Sequence, residues 1–386
     1  SIYVADLTIQ EGEDVAGLPL QNYFPPRLSQ QAKDLFNTQD EMIAFFSERF
    51  GPYPFDSYGA ALIDTNWGGA LETQSLSLFG RSALGIEMNM PEGVEFPIES
   101  TPQTIIAHEL AHQWFGDSVS LERWQDIWLK EGFATYASWL WWEHVEGREA
   151  LQAIVKRRYE TMANVIDGGL FNFSQDPTPF DGLSGGEAME LLQSLHPDAL
   201  SEQQKLIDAL PLDELEEKNE ADSAQMDNLS DTHIRQMIDQ LPEKENLTSK
   251  RMLEILNTLP TADLSGRQVF QALTLLQVYK LAGTSIFQGA RIAAPGKPPL
   301  DNLYNLSVYD RGALTLHALR IKVGDETWFD ILRSYHERYK YSNADTGDFI
   351  TVAEDVSGQN LDAFFEAWLY EERMPDLPEL GLSMQE

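Results

Sequence analysis

Two imidazoles four residues apart, His108 and His112, stand in the stretch Ala107-His108-Glu109-Leu110-Ala111-His112-Gln113-Trp114-Phe115-Gly116-Asp117. On a helix that spacing puts both rings on one face, so each can aim a nitrogen at the same ion while Glu109 projects beside it. A catalytic zinc site wants three protein ligands and an open position for water. Glu131, within Trp128-Leu129-Lys130-Glu131-Gly132-Phe133-Ala134, is the natural third ligand. Eighteen residues lie between it and His112. That is enough for the first helix to end near Gly116-Asp117, for a short crossing from Ser118 to Trp124, and for a second, antiparallel helix to return the carboxylate. With His108, His112 and Glu131 holding one Zn2+ per chain, Glu109 is left as general base for a water whose pKa the ion lowers to roughly 7. The five-residue pattern alone arises by chance on amphipathic helices, and the second segment at a workable spacing turns it into a metal site. Asp126 has two readings, a carboxylate that orients a ligand imidazole and a helix N-cap.

With these segments the chain resembles the gluzincin zinc aminopeptidase family, which includes membrane alanyl aminopeptidases and leukotriene hydrolase. His108, Glu109, His112 and Glu131 fall on that family's zinc and base positions, and the flanking text of both segments matches. Lys130 stands where the family usually has Asn. Gly69-Ala70-Leu71-Glu72-Thr73 resembles the family's Gly-x-Met-Glu-Asn strand. The resemblance therefore implies a substrate site at Gly69, Ala70 and Glu72, with Glu72 binding the α-ammonium. An exopeptidase needs such a negative charge at a fixed distance from the metal. Leu71 and Thr73 depart from the pattern and change the first side-chain pocket. Tyr304-Asn305-Leu306-Ser307-Val308-Tyr309-Asp310-Arg311-Gly312-Ala313 resembles a Val-Tyr-Glu-Lys-Gly-Ala segment. This implies that Tyr309 is the family's catalytic tyrosine, a donor to the oxyanion, and that Tyr304 is a second tyrosine near the site. Without the resemblance, Glu72 reads as a solvated strand carboxylate and both tyrosines as core aromatics. The activity implied is zinc-dependent removal of the first residue from peptides with a free N-terminus. Two other readings remain beside it: a zinc endopeptidase with an incomplete amine site, and a non-catalytic scaffold that uses a helical insertion.

The elements that must position these groups follow from periodicity. Ile2 to Ile9 alternates like a strand and Pro25-Pro26 ends that segment; the resemblance implies that residues 1–26 are the end of an N-terminal β-domain or a linker. Leu28 to Phe50 reads as an amphipathic helix, Gly51 to Phe55 as a turn, and Tyr58 to Asp64 as a strand. Trp139-Leu140-Trp141-Trp142 reads as buried helix surface. After Tyr309, helices are predicted over Ala313 to Ile321, Glu326 to Tyr339, Thr346 to Val356 and Leu361 to Tyr370. The expected fold class is α+β: a thermolysin-like metallopeptidase domain over 27–181 and 290–386, mostly helical with a small β-sheet. Between its halves, 182–289 reads as an inserted α-helical module rich in Leu, Glu, Asp and Gln. Turn-like punctuation recurs in it at Leu195, Leu210, Leu241 and Leu259, and Glu214 to Asp222 forms a charged connection. Such a module could be a lid, an oligomerisation element, a surface for a protein partner, or a neutral surface insertion.

At 386 residues, 42% hydrophobic, the chain can build two or three cores, and its lack of cysteine excludes disulfides, thiol catalysis and thiolate-bound metal. A formal charge of −35 argues against nucleic acid or an anionic membrane as partner, since both need clustered Lys and Arg. No apolar run approaches the ~20 residues of a membrane helix and no signal pattern opens the chain, so it reads as soluble as given. It begins with Ser1, which leaves open a removed upstream segment and hence the compartment. Glycosylation sequons at Asn172, Asn228, Asn246 and Asn305 read as chance matches.

Overall fold

An isolated strand leaves its backbone groups unsatisfied, and the short strands at the start of the chain are paired. The computed structural model describes residues 4–12, 15, 17–65, 67–85, 101–166, 180, 183–195, 248–260, 264–270, 272–273, 276, 294–300 and 302–384. Strand β1 (Thr8–Glu11) runs antiparallel to β2 (Gln21–Phe24). Residues 4–7 lie outside any strand, so the strand read from the alternation begins later than expected. Helices α1 (Gln30–Asp34) and α2 (Gln39–Phe50) replace the single helix expected from Leu28. The break falls where Asn37 donates to Asp34 at 3.2 Å, a local side-chain bond of the kind that competes with helix. Next come β3 (Ala60–Ile63), β4 (Ala70–Leu71) and β5 (Ser77–Gly80), which join the first two strands in the order β1-β2-β3-β5-β4. The pairs β2–β3 and β3–β5 are parallel, and β4 lies antiparallel on the edge. Buried Asn22 fastens the early strands to the rest, donating to Gln39 Oε1 at 2.7 Å and accepting from the Ala60 amide at 2.9 Å.

Helix α3 (Pro102–Ala111) opens on proline, whose missing N–H costs nothing at that position. It stops at Ala111, earlier than the Gly116-Asp117 expected; the chain continues in tight turns, with the Gln113 and Trp114 amides donating to the Leu110 and Ala111 carbonyls, to Gly116 at φ 139°, a conformation that favours glycine. The crossing is not irregular throughout. It contains β6 (Val119–Leu121), which pairs in parallel with β7 (Ser342–Ala344). After a 3-10 turn at Trp124–Asp126, α4 (Trp128–Glu146) is buried at every residue from Trp128 to Trp142. A helix apolar on all sides belongs in the core, and the Trp139 to Trp142 run lies there as expected. Buried indoles need acceptors: Trp142 donates to Thr104 Oγ1 at 2.7 Å and Trp128 to Thr346 Oγ1 at 2.9 Å. Helix α5 (Arg148–Ile166) follows.

Two units emerge, Ser1–Ala163 with Ile292–Glu386, and Asn164–Arg291. In the second, α6 (Gly185–Ser194) starts with a capping box of Ser184 and Glu187, and α7 (Ser249–Leu256) follows Thr248. Leu192, Met252, Ile255, Leu256, Val269 and Leu273 belong to a core within that unit. Most of 182–289 lies outside the described residues, including Leu210, Leu241 and Glu214 to Asp222, as do the sequons at Asn172, Asn228 and Asn246. Back in the first unit, a π-helical turn over Ser307–Arg311 leads into α8 (Gly312–Val323), α9 (Asp325–Tyr339), α10 (Thr346–Ser357) and α11 (Asp362–Leu369). These four lie close to the expected spans. The fold is thus mixed, helical with two small sheets, and among the described residues no helix is long and apolar enough to cross a membrane.

Candidate active site

His108 sits in the last turn of α3 and His112 caps it. Their Nε2 atoms are 3.1 Å apart, and Glu131 Oε2 lies 3.3 Å from the first and 3.5 Å from the second. A tetrahedral zinc with bonds of about 2.0–2.1 Å spaces its ligands by roughly 3.3 Å, so the three atoms fit such an ion. His112 Nδ1 donates to the Phe115 carbonyl at 3.0 Å, which leaves the Nε2 lone pair directed at the ligand cluster. The other ring is held more loosely, with Thr135 Oγ1 3.5 Å from His108 Nδ1. Electrostatics favours positive charge here. Burial acts to lower His112, but Glu72 and Glu131 outweigh it and raise the imidazole to about 9. Burial likewise opposes the Glu131 anion, yet His112 and His108 hold its carboxyl well below the usual range.

Glu109 lies beside this cluster, with one ligand atom each from Glu72, Glu109 and His112 within 4.8 Å of one another. It is buried, and its Oε2 has no hydrogen-bond partner among the described residues. A buried carboxylate oxygen without a partner is costly, and it marks a position where a water or substrate proton can be received. Burial, more than the neighbouring carboxylates, pushes this carboxyl up to about 8; a divalent cation held by His108, His112 and Glu131 would act in the opposite sense.

Glu72 follows the edge strand β4, whose Ala70 and Leu71 pair with Phe79 and Leu78, while the Gly69 carbonyl accepts from the Gly80 amide at 2.9 Å. The segment is bolted to the turn after α3 by Gln113. That buried amide donates to the Thr73 carbonyl at 3.2 Å and to Asp117 at 2.9 Å, and accepts from the Ser75 amide at 2.7 Å. Lys130 bridges the two halves of the site: its ammonium pairs with Glu72 Oε1 and lies 3.0 Å from Glu131 Oε1.

Tyr309 occupies the π-helical turn, its ring 6.1 Å from that of His108 and inclined by 23°. Burial, then the charges of Glu131 and Glu109, raise its phenol well above 10, so the hydroxyl keeps its proton. Tyr304 is 44% exposed, and its phenol is raised by burial while feeling Lys130, Glu131 and Glu72. A close crossing brings the turn to α4. A Cβ on Gly132 would stand 2.9 Å from the Gly312 Cα, and one on Gly312 would stand 3.0 Å from the Gly132 Cα. Glycine at both positions lets α4 and the start of α8 touch backbone to backbone. Arg311, fully buried, then anchors the turn to the end of α11, donating to the carbonyls of Ala367, Trp368, Glu371, Glu372 and Arg373 at 2.7–3.3 Å.

The structure brings His108, Glu109, His112, Glu131, Glu72 and Tyr309 into one locality within the first unit. Asp126 serves neither of its two readings. It accepts from the Thr346 amide at 3.2 Å and hydroxyl at 2.7 Å and from Arg123 Nε at 3.1 Å, tying the crossing to the first turn of α10, whose N-cap is Asp345, and among the described residues it bonds to no imidazole. Sequence reasoning missed the Phe115 carbonyl and the Thr135 hydroxyl behind the two rings. Thr135 did carry a signal, since it lies one turn past Glu131 on the same helical face. Asn305 is buried and bonded on both sides of its amide, to the Asn302 carbonyl and the Ser307 amide, in keeping with a chance sequon.

Residues 35–169 and 280–368 match the model of the "Peptidase family M1 domain", more than half of the chain. Aminopeptidase N of Canis lupus familiaris is 42% identical over 107 residues, 27% of this chain and 11% of that protein. Aminopeptidase N of Acetobacter pasteurianus is 30% identical over 144 residues, 35% of this chain and 38% of that protein. Among solved structures, an M1 zinc metallopeptidase of Deinococcus radiodurans aligns with a TM-score of 0.50 at 21% identity, covering 96% of this chain and 54% of that one. A two-domain M1 zinc metallopeptidase bound to L-tryptophan aligns with a TM-score of 0.52 at 21% identity, covering the same shares. The chain thus spans about half the length of those structures and less of the curated relatives. With His108, His112 and Glu131 in one triangle, the Glu109 carboxylate beside it and a family model matched over more than half of its length, the chain belongs to peptidase family M1.

Proposed function

We propose that this chain is the catalytic domain of a zinc aminopeptidase, with His108, His112 and Glu131 as ligands of one zinc ion. The observation that carries this reading is the triangle of ligand atoms, 3.1, 3.3 and 3.5 Å on its edges, with the unpartnered Glu109 oxygen beside it. Zinc bound there supplies Lewis acidity, making water a better nucleophile and the scissile carbonyl a better electrophile near neutral pH. Glu109 removes the proton from the attacking water and returns it to the leaving amine. The Tyr309 hydroxyl donates to the carbonyl oxygen as negative charge develops on it. Glu72, with the backbone of Gly69 and Ala70, holds the α-ammonium so that only the first peptide bond meets the nucleophile, and Tyr304, which feels the charges of Lys130, Glu131 and Glu72, is the second tyrosine of the site. The substrates are peptides with a free N-terminus, as the names of the curated relatives suggest.

The finer architecture belongs to the same proposal. The first unit takes a thermolysin-like arrangement, residues 1–26 are the end of an N-terminal β-domain, and 182–289 is a helical module inserted into the catalytic domain. Glu109→Gln keeps the side chain's shape and removes its basicity. In that variant hydrolysis of leucyl-arylamide is expected to fall by about 10³-fold or more while one zinc per chain is retained. A rate within threefold of the parent would remove Glu109 as base.

A further inference from the structure

The ammonium of Lys130 already sits on the carboxylate assigned to the substrate's own ammonium. It pairs with Glu72 and lies 3.0 Å from Glu131, with side-chain exposures of 10% for Lys130, 15% for Glu72 and 4% for Glu131. At that burial the pair is shielded from water, and its attraction is not the screened, near-neutral contact of a surface ion pair. A lysine head and a peptide's α-ammonium are the same chemical group, a compact cation with hydrogen-bond donors and no acceptor. One carboxylate cannot serve both fully, because two adjacent ammonium ions repel each other.

We infer that Lys130 is a specificity-determining residue: it occupies the Glu72 subsite as an internal counter-ion, and a substrate's α-ammonium engages Glu72 only by displacing it. The inference rests on reading Glu72 as the amine anchor. The four-carbon stem permits the exchange, since Nζ can retain Glu131 while releasing Glu72. Displacement weakens binding of ligands that carry an ammonium and leaves untouched those that lack one. The native chain therefore discriminates less between a free amine and its uncharged isostere than the Glu72 carboxylate alone would. The substrate class favoured is one whose remaining contacts, in the first side-chain pocket or further along the peptide, compensate for that weakened anchor.

The test uses the zinc-loaded chain and two probes, L-leucinamide and its α-hydroxy isostere, with binding measured by calorimetry and zinc content measured on each sample. In Lys130→Met and Lys130→Gln, leucinamide is expected to bind about tenfold more tightly than to the parent, and the hydroxy isostere within about threefold. For leucyl-arylamide, KM is expected to fall by a similar factor, with kcat changing by less than about threefold. Parallel shifts for the two probes, or weaker leucinamide binding in both variants, would overturn the inference and leave the aminopeptidase reading standing. Loss of zinc from both variants would also overturn it, assigning Lys130 to holding Glu131. If the parent neither binds leucinamide nor cleaves the arylamide, the aminopeptidase reading fails and takes this inference with it.

Discussion

Tyr309 keeps its proton because burial and the carboxylates Glu131 and Glu109 oppose the phenolate, which is the state a donor to a developing oxyanion requires. Removing that hydroxyl in Tyr309→Phe leaves the ring beside His108. We expect kcat for leucyl-arylamide to fall by about 10²–10³-fold with zinc content unchanged, the usual cost of one oxyanion donor. An unchanged kcat would take Tyr309 out of the reaction. That His108, Glu109 and His112 come together was legible in the sequence because a helix converts a spacing of four into a shared face, whereas the nearness of Glu72 and Tyr309 to them was legible only through resemblance. The Phe115 carbonyl has no side-chain signature at all. Neither Lys130 nor Glu72 announces the other, because their pairing depends on an edge strand meeting α4 across 58 positions of sequence.

The approach of α4 to α8 sets the distance between Glu131 and the tyrosine turn, and it depends on two glycines in backbone contact. A methyl on either meets backbone, which cannot move aside as a flexible side chain would. Gly132→Ala or Gly312→Ala is therefore expected to cost about 1–3 kcal/mol of stability by overpacking and to lower kcat/KM by about 10²-fold through misplacement. Denaturation midpoints and steady-state kinetics check both, and a variant with parental activity would show that the crossing does not position Tyr309. Elsewhere, packed elements hold two histidines neutral. His317, 3.1 Å from the Tyr136 hydroxyl, is lowered by burial to about 3, and His336, 3.2 Å from Ser118 Oγ, is lowered by burial to about 4. Their folded values lie below the unfolded 6.5, so the unfolded chain binds more protons between. Their contribution is complete above about pH 6.5 and is lost as pH falls toward 3–4, at up to ~1.4 kcal/mol per pH unit for each. Urea denaturation of a His317→Gln, His336→Gln double variant should show a shallower loss of stability from pH 6.5 to 4.5 than the parent; an equal slope would contradict this. Long helices such as α4 were legible from composition, but β6 and β7 were not. Each has three residues, and they pair across more than 200 positions of sequence.

A formal charge of −35 repels itself in the folded chain, and salt screens that repulsion within about 8–10 Å near physiological ionic strength. Raising sodium chloride from about 0.05 to 1 M is expected to raise Tm by several degrees, and an unchanged or lower Tm would mean that local ion pairs outweigh the global field. The family match falls in two pieces, 35–169 and 280–368. The central claim concerns one ion and one bond: zinc on His108, His112 and Glu131 serving hydrolysis at a free N-terminus. It is tested most directly by incubating the chain with an unmodified pentapeptide and following the products by mass spectrometry, before and after chelation and on adding back zinc. Stepwise loss of single residues from the N-terminus, abolished by chelator and restored by about one equivalent of zinc, is expected. Internal fragments, or cleavage that persists without metal, would contradict it.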